Sequence, residues 1–257
     1  MSPIETESGR DTAADSHTAA GKRVILSMGG KGGVGKTSVM TGLAEWYADH
    51  QIPVTLLDLD TENKARGSLT HFFGGHVPKI NIHTPEGLDA FLDVLDTGPP
   101  IVLADMGSGA GRVTHTWFDQ MYTPVSQRGI VFTAIGVVTS DPASVESVLT
   151  WADRLQRRVA YVIVENETDA NATFTYWQES AQALAFQRTF SPAVIQMAYR
   201  VPHLETAMRN HGVTLTQVAR RQTTVPELQL SKAVLRADAY RTRLFEQFER
   251  VKDLLLP

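Results

Sequence analysis

The chain has 257 residues, with 24 Lys and Arg against 28 Asp and Glu, a formal net charge of -4, and no cysteine. That length suits one large α/β domain with a sizeable core, and the mild acidity excludes a chain whose overall field draws it to nucleic acid, leaving room only for a local basic patch. Disulfides, thiolate metal sites and a cysteine nucleophile are excluded, and no stretch approaches the roughly 18 apolar residues of a membrane span.

Residues 1–21, rich in Ser, Thr, Asp, Glu and Ala and without an apolar run of signal-peptide type, read as a disordered polar leader of a cytoplasmic protein. Residues 22–257 read as one domain, opening on the buried strand Val24-Ile25-Leu26. The strand runs into Gly29-Gly30-Lys31-Gly32-Gly33-Val34-Gly35-Lys36-Thr37, which satisfies G-x-x-x-x-G-K-[ST]. Ser38 to His50 leaves the loop as a helix, with Met40, Leu43, Trp46 and Tyr47 at helical spacing. Glycines let successive N–H groups turn inward around phosphate oxygens, and the helix N-terminus adds donors and partial positive charge. Gly30, Lys31, Gly32, Gly33, Val34, Gly35, Lys36, Thr37 and Ser38 are therefore the candidate nucleotide contacts. Lys36 suits the β- and γ-phosphates and the Thr37 hydroxyl suits magnesium.

Lys31, directly after the first motif glycine, completes K-G-G-x-G-K-[ST]. The stretch resembles the deviant P-loop of the ParA/MinD family of dimerising ATPases, a resemblance that covers roughly Arg23 to Arg221 and is specific in the loop and looser elsewhere. It implies a P-loop NTPase fold: a single, doubly wound, mostly parallel α/β sheet with helices on both faces. It implies ATP and Mg2+ as cofactors, an ATP-dependent homodimer in which Lys31 reaches the partner's nucleotide, and slow hydrolysis stimulated by a partner protein. A cation that arrives only on dimerisation places positive charge where the transition state gathers negative charge. Relatives with a similar loop that hold iron–sulfur clusters are excluded by the missing cysteines.

Pro53-Val54-Thr55-Leu56-Leu57 reads as a second core strand, ending in Asp58-Leu59-Asp60 at the end where open α/β sheets place function. The resemblance makes Asp60 the residue that positions the attacking water, catalytic together with Lys31 and Lys36, and puts Asp58 near the magnesium shell. Helix capping is the other reading of both aspartates, and Thr61-Glu62-Asn63 stands where the family often has a Pro-Gln turn. Ile80-Asn81-Ile82 reads as a short extra strand, followed by Thr84 as N-cap, Pro85 at the first helical position and a helix from Gly87 to Leu95. Pro100 to Asp105 is the third strand, its terminal Asp105 suited to orient magnesium, and the glycines Gly107, Gly109 and Gly111 suit a second switch loop.

Gly129 to Val138 gives a fourth core strand ending in Thr139-Ser140-Asp141-Pro142, and a helix from Ala143 to Arg157 follows. Val159 to Val164 makes the fifth strand, stopping at Glu165-Asn166; the resemblance gives Asn166 the reading of the adenine edge, which an amide does by donating and accepting together. Val194 to Met197 is the sixth, and Pro202 matches a proline loop that relatives place against base or ribose. Leu204 to Asn210 is a helix stopped by Gly212, and Pro226 to Leu256 a long closing helix broken at most once.

In that closing helix Arg241, Arg243, Arg250 and Lys252 are balanced by Glu246, Glu249 and Asp253. A membrane helix favours a strongly cationic polar face, so packing against the sheet is expected and stable membrane binding is not. Arg154, Arg157 and Arg158, or Arg220 and Arg221, suit nonspecific DNA contacts or a plain solvated face, and the sequence leaves both open. The family's roles then order the expectations: plasmid or chromosome DNA partition first, then an ATPase accessory to conjugation, secretion or polysaccharide export, then a nucleotide-gated binding module with negligible hydrolysis.

Overall fold

The computed structural model describes residues 21–59, 67–82, 84–107 and 112–257. The apolar runs form six strands, β1 (Lys22–Met28), β2 (Val54–Asp58), β3 (Ile101–Asp105), β4 (Ile130–Val138), β5 (Ala160–Asn166) and β6 (Ala193–Met197). They pair in the order β2-β3-β1-β4-β5-β6, every ladder parallel. Parallel neighbours need crossover connections, and helices supply them: α1 (Lys36–Asp49), α2 (Leu69–Phe73), α3 (Pro85–Thr97), α4 (Arg112–Ser126), α5 (Pro142–Leu155), α6 (Thr175–Glu179) and α7 (Ala181–Phe190). The chain closes with α8 (Pro202–His211), α9 (Leu215–Ala219), α10 (Pro226–Gln229) and α11 (Ser231–Arg250). From β1 the chain crosses toward β2, and from β4 it crosses toward β5 on the other side. The two connections diverge, which opens a crevice at the strands' carboxyl ends.

Because successive strand residues face opposite ways, Val24 and Leu26 enter one core and Ile25 the other. The first core packs β1, β3 and β4 against Phe91 of α3, Trp117 and Phe118 of α4, Val148 of α5 and Trp177 of α6. The second packs the opposite face against Val39, Leu43 and Trp46 of α1 and Leu244 and Phe248 of α11. A third, smaller cluster joins α8, α9, α10 and the first half of α11 away from the sheet. The doubly wound parallel sheet expected from the sequence is thus present, with all six strands.

Two expectations are corrected. Ile80-Asn81-Ile82 forms no strand: one bridge pairs Asp58 with Lys79, and the chain then turns, Thr84 N donating to Asn81 O at 3.2 Å. Ile80 and Ile82 are buried with Phe91 instead of extending a ladder. The turn lies so close to α3 that a Cβ on Gly87 would fall 1.9 Å from Asn81 O, while Thr84 caps α3 as expected, accepting from Gly87 N at 3.1 Å. The closing helix is broken twice, at Leu230 (φ -62, ψ 140) and at Val251 (φ -121, ψ 17). At Leu230 the extended backbone separates α10 from α11, whose Ala233 and Ala237 join the third cluster and whose Leu244 and Phe248 pack on α1. Gly212 stops α8 with φ 61, as its position suggests.

Phe248 is 1% exposed and its ring lies 6.2 Å from that of Trp46, whose Nε1 donates to Glu249 Oε1 at 3.1 Å. Replacing Phe248 with alanine is expected to cost about 3–5 kcal/mol in denaturant unfolding. A loss below about 1 kcal/mol would mean that α11 is not an integral layer.

Candidate functional site

Between β1 and α1 the backbone turns through Gly29, Gly33 and Gly35, at φ 106, 78 and 102, the left-handed region that side chains resist. Gly35 is the N-cap of α1, so Lys36 begins the helix. A Cβ on Gly35 would lie 2.6 Å from Asn166 Nδ2 and 3.2 Å from Met197 Cε. The bare backbone therefore lets the ends of β5 and β6 close on the loop. Asn166, 7% exposed, donates from Nδ2 to Val34 O at 2.7 Å. The candidate base reader thus also braces the loop.

The two loop lysines diverge. Lys36 is buried and donates from Nζ to Lys31 O at 2.8 Å. Lys31 points outward, its ammonium 3.2 Å from Asp141 Oδ2 with 44% of the side chain exposed. Gly30 N and Lys31 N both donate to Ser147 Oγ on α5. Asp141 caps α5, accepting from Ala143 N at 2.9 Å; that bond first, then Lys31, holds its carboxyl below the usual carboxylate range. Sequence reasoning missed Asp141 and Ser147 as site residues. The available signal was an Asp-Pro helix start at the end of a core strand, and it became informative only once β4 was known to lie beside β1.

At the ends of β2 and β3, Asp58 and Asp105 are register partners, both buried. Thr37 Oγ1 donates to Asp105 Oδ2 at 2.7 Å, and Ser27 Oγ donates to Asp105 Oδ1 at 2.8 Å. Thr70 Oγ1 of α2 donates to Asp58 Oδ2 at 3.0 Å. Burial pushes the Asp105 carboxyl up to about 6; the bonds from Thr37 and Ser27 oppose this, and the nearby Asp58 charge adds to it. A corner of hydroxyl and carboxylate oxygens beside a phosphate loop fits a hard divalent cation such as Mg2+. Asp60, the expected water-positioning residue, lies outside the described residues, as does most of the glycine stretch after Asp105.

A cleft of about 320 Å³ runs from the loop between α1 and α8. Gly33, Gly35, Lys36, Thr37 and Ser38 form its near end, Thr41 and Glu45 continue along α1, and Arg200, Glu205, Met208 and Arg209 face them. Pro202 starts α8 and so fixes where that facing wall begins. Arg200 Nη2 donates to Glu205 Oε1 at 3.3 Å. Among the described residues, the buried Thr41 hydroxyl has no hydrogen-bond partner. Glu45 accepts from Thr216 N at 2.8 Å, and burial pushes its carboxyl up. Thr41 and Glu45 follow Thr37 at four-residue steps, a spacing that puts all three on one helix face; the arginines needed the tertiary fold to be found.

The basic candidates lie elsewhere. Arg154, Arg157 and Arg158 sit at the end of α5 away from the strands' carboxyl ends. Arg158 pairs with Asp119 at 2.6 Å, Arg220 pairs with Asp49, and Arg221 donates to Gln229 O at 2.8 Å. Among the described residues no helix is long and apolar enough to cross a membrane, and α11 packs its Leu244, Phe245 and Phe248 into the second core.

The glycine loop on β1, the following helix and the acidic strand ends define a P-loop nucleotide-binding protein. Residues 25–235 match the family model described as CobQ/CobB/MinD/ParA nucleotide binding domain, and the chain belongs to that family. No curated protein matches the sequence. Among solved structures, the chain is similar to the MinD cell division protein of Aquifex aeolicus at 15% identity, covering 91% of this chain and 98% of that one, with TM-score 0.49. It is also similar to a putative plasmid partition protein of Borrelia burgdorferi B31 bound to AMPPNP, at 11% identity, covering 90% and 99%, with TM-score 0.50. The second likeness is one of fold.

The raised Asp105 carboxyl fixes a pH dependence. Its folded value, about 6, exceeds the unfolded value near 3.9, so the native state holds this proton more tightly. The stability gained is fully present below about pH 4 and is lost as pH rises through about 6. Asp105→Asn, measured without nucleotide or metal, is expected to match the unmodified protein near pH 4 and to exceed its unfolding free energy by roughly 2–3 kcal/mol near pH 8. Parallel pH profiles for the two proteins would contradict this account.

Proposed function

We propose that this chain is an ATP-dependent dimerising switch whose slow ATP hydrolysis partitions or positions a cargo, with plasmid or chromosome DNA first among cargoes. The observation that carries the reading is the divergence of the two loop lysines. Lys36 is buried and lines the cleft, whereas Lys31 leaves the same loop toward solvent, open to a partner protomer.

The parts then have separate tasks. Loop N–H groups and Lys36 hold the β- and γ-phosphates, and Asn166 and the segment at Pro202 face the base. Thr37 would hold magnesium directly, with Asp58 and Asp105 accepting from its waters; when bound, that ion neutralises phosphate charge. Asp60 orients water for attack, and Lys31 of each protomer adds charge to the other's phosphates as hydrolysis proceeds. A partner protein would stimulate turnover.

Membership in a family that includes ParA and MinD supports this reading, and the partition protein of Borrelia burgdorferi shares its fold. A second reading, a protein-tracked ATPase accessory to a conjugation, secretion or export machine, is favoured by the arginines, since Arg158 and Arg220 are already paired with Asp119 and Asp49.

Lys36→Ala is expected to weaken ATP binding at least tenfold, while Lys31→Ala retains monomer binding, loses the dimer and lowers turnover about 100-fold. Turnover indifferent to Lys31 would sink the dimer mechanism. Asp60→Ala, trapped with ATP and followed by light scattering over a random DNA duplex in a salt series, separates the tracks. ATP-dependent DNA binding that falls steeply with salt supports partition; dimers indifferent to DNA support the protein track. Undetectable turnover in the unmodified protein, with and without DNA, would favour a nucleotide-gated binding module.

A further inference from the structure

The cleft between α1 and α8 leaves the phosphate loop on the side of the acidic strand ends. Asn166 and Met197 close on Gly35 from β5 and β6, whereas the cleft is bordered by Gly67 and Phe72, which follow β2, and by Met106, which follows β3. It then passes Thr41 and Glu45, about 6 and 12 Å beyond Thr37 along the helix axis. Its volume of about 320 Å³ lies at the small end of the range in which proteins hold small molecules.

Two buried polar groups in this cleft are left unmet by the protein. The Thr41 hydroxyl, on a residue 7% exposed, has no hydrogen-bond partner among the described residues, and a buried hydroxyl without one costs free energy. Arg200, with 10% of its side chain exposed, donates one long bond, from Nη2 to Glu205 Oε1 at 3.3 Å. A guanidinium carries five N–H donors, so most of the capacity of this buried cation is unused. Arg209 adds a second cation to the same wall. At the far end Glu45 accepts from Thr216 N at 2.8 Å, and burial favours the neutral form of its carboxyl.

We propose that the cleft is a second binding site, for a small molecule that carries a carboxylate on an apolar body. Arg200, which already holds the Glu205 carboxylate, takes that of the ligand in its place. Glu205 can turn to water, since 39% of its side chain is exposed. Thr41 bonds to a polar group of the ligand, and Phe72, Met106, Met208 and Leu215 cover its apolar part. The inference goes beyond the switch proposed above and rests on its placement of the base at Asn166.

The test titrates the unmodified protein, with and without ADP and magnesium, with hydrocinnamate and with its neutral counterpart hydrocinnamyl alcohol, following backbone amide shifts by NMR. Hydrocinnamate is expected to bind in the low-millimolar range, about tenfold tighter than the alcohol, and within twofold as tightly with ADP as without it. Arg200→Gln is expected to abolish the preference for the acid and Arg200→Lys to keep part of it. Glu205→Gln, which removes the competing carboxylate, is expected to tighten hydrocinnamate severalfold, and Thr41→Met, which fills the cleft, to weaken both probes severalfold. The proposal is overturned if acid and alcohol bind alike, if neither binds below about 30 mM, if Arg200→Gln leaves the preference in place, or if ADP excludes hydrocinnamate. That last result gives the cleft to the nucleoside and moves the base from Asn166, while the dimer mechanism stands. Conversely, turnover indifferent to Lys31 sinks the switch and leaves hydrocinnamate binding unaffected.

Discussion

A loop that presents backbone N–H groups to an anion has to turn through conformations that side chains resist, and here Gly29, Gly33 and Gly35 supply them at φ 106, 78 and 102. The rest of the site is arranged by what can approach that bare backbone. Asn166 and Met197 close on Gly35 because no Cβ stands between them, and Ser147 of α5 reaches the N–H groups of residues 30 and 31. The strand order places β1 between β3 and β4. The loop consequently has the acidic end of β3 on one side and the start of α5 on the other.

Charge is distributed around the loop to match. On the β3 side, two buried carboxylates lie in register, an arrangement that is unfavourable for charged groups removed from water and that a bound cation relieves. Hydroxyls from Ser27 and Thr37 satisfy Asp105 meanwhile. On the α5 side, the pairing of Lys31 with Asp141 is open to solvent and carries little energy. One flank is buried and the other is open to solvent.

The cleft beyond the loop depends on a separate piece of packing. Its far wall, α8, belongs to the third apolar cluster rather than to the sheet. It is tied to the segment after β2 by the His71 ring, whose Nε2 donates to Arg209 O at 2.8 Å, and by the approach of Gly212 to His71 O, where a Cβ would fall at 2.4 Å. The helix α2 after β2 is thereby in contact with the wall that faces α1.

The sequence by itself determined the loop, the six strands and the acidic strand ends, because each is written locally: a glycine pattern, an apolar run, a carboxylate where the run stops. It also located the starts and stops at Thr84, Pro85 and Gly212, since capping depends on a few adjacent residues. It did not reveal that Ile80 and Ile82 serve the core rather than a ladder, because an apolar alternation does not say which surface will cover it. It left the closing segment as a nearly continuous helix, because no glycine or proline marks the break at Leu230. Tertiary structure alone decided that Ser147 and Asp141 grip Lys31, that Thr41 and Glu45 line the cleft with Arg200 and Arg209, and that Asn166 holds the loop. Those contacts join residues far apart in the chain, and only the order of strands in the sheet, which no local pattern specifies, brings them within hydrogen-bonding distance.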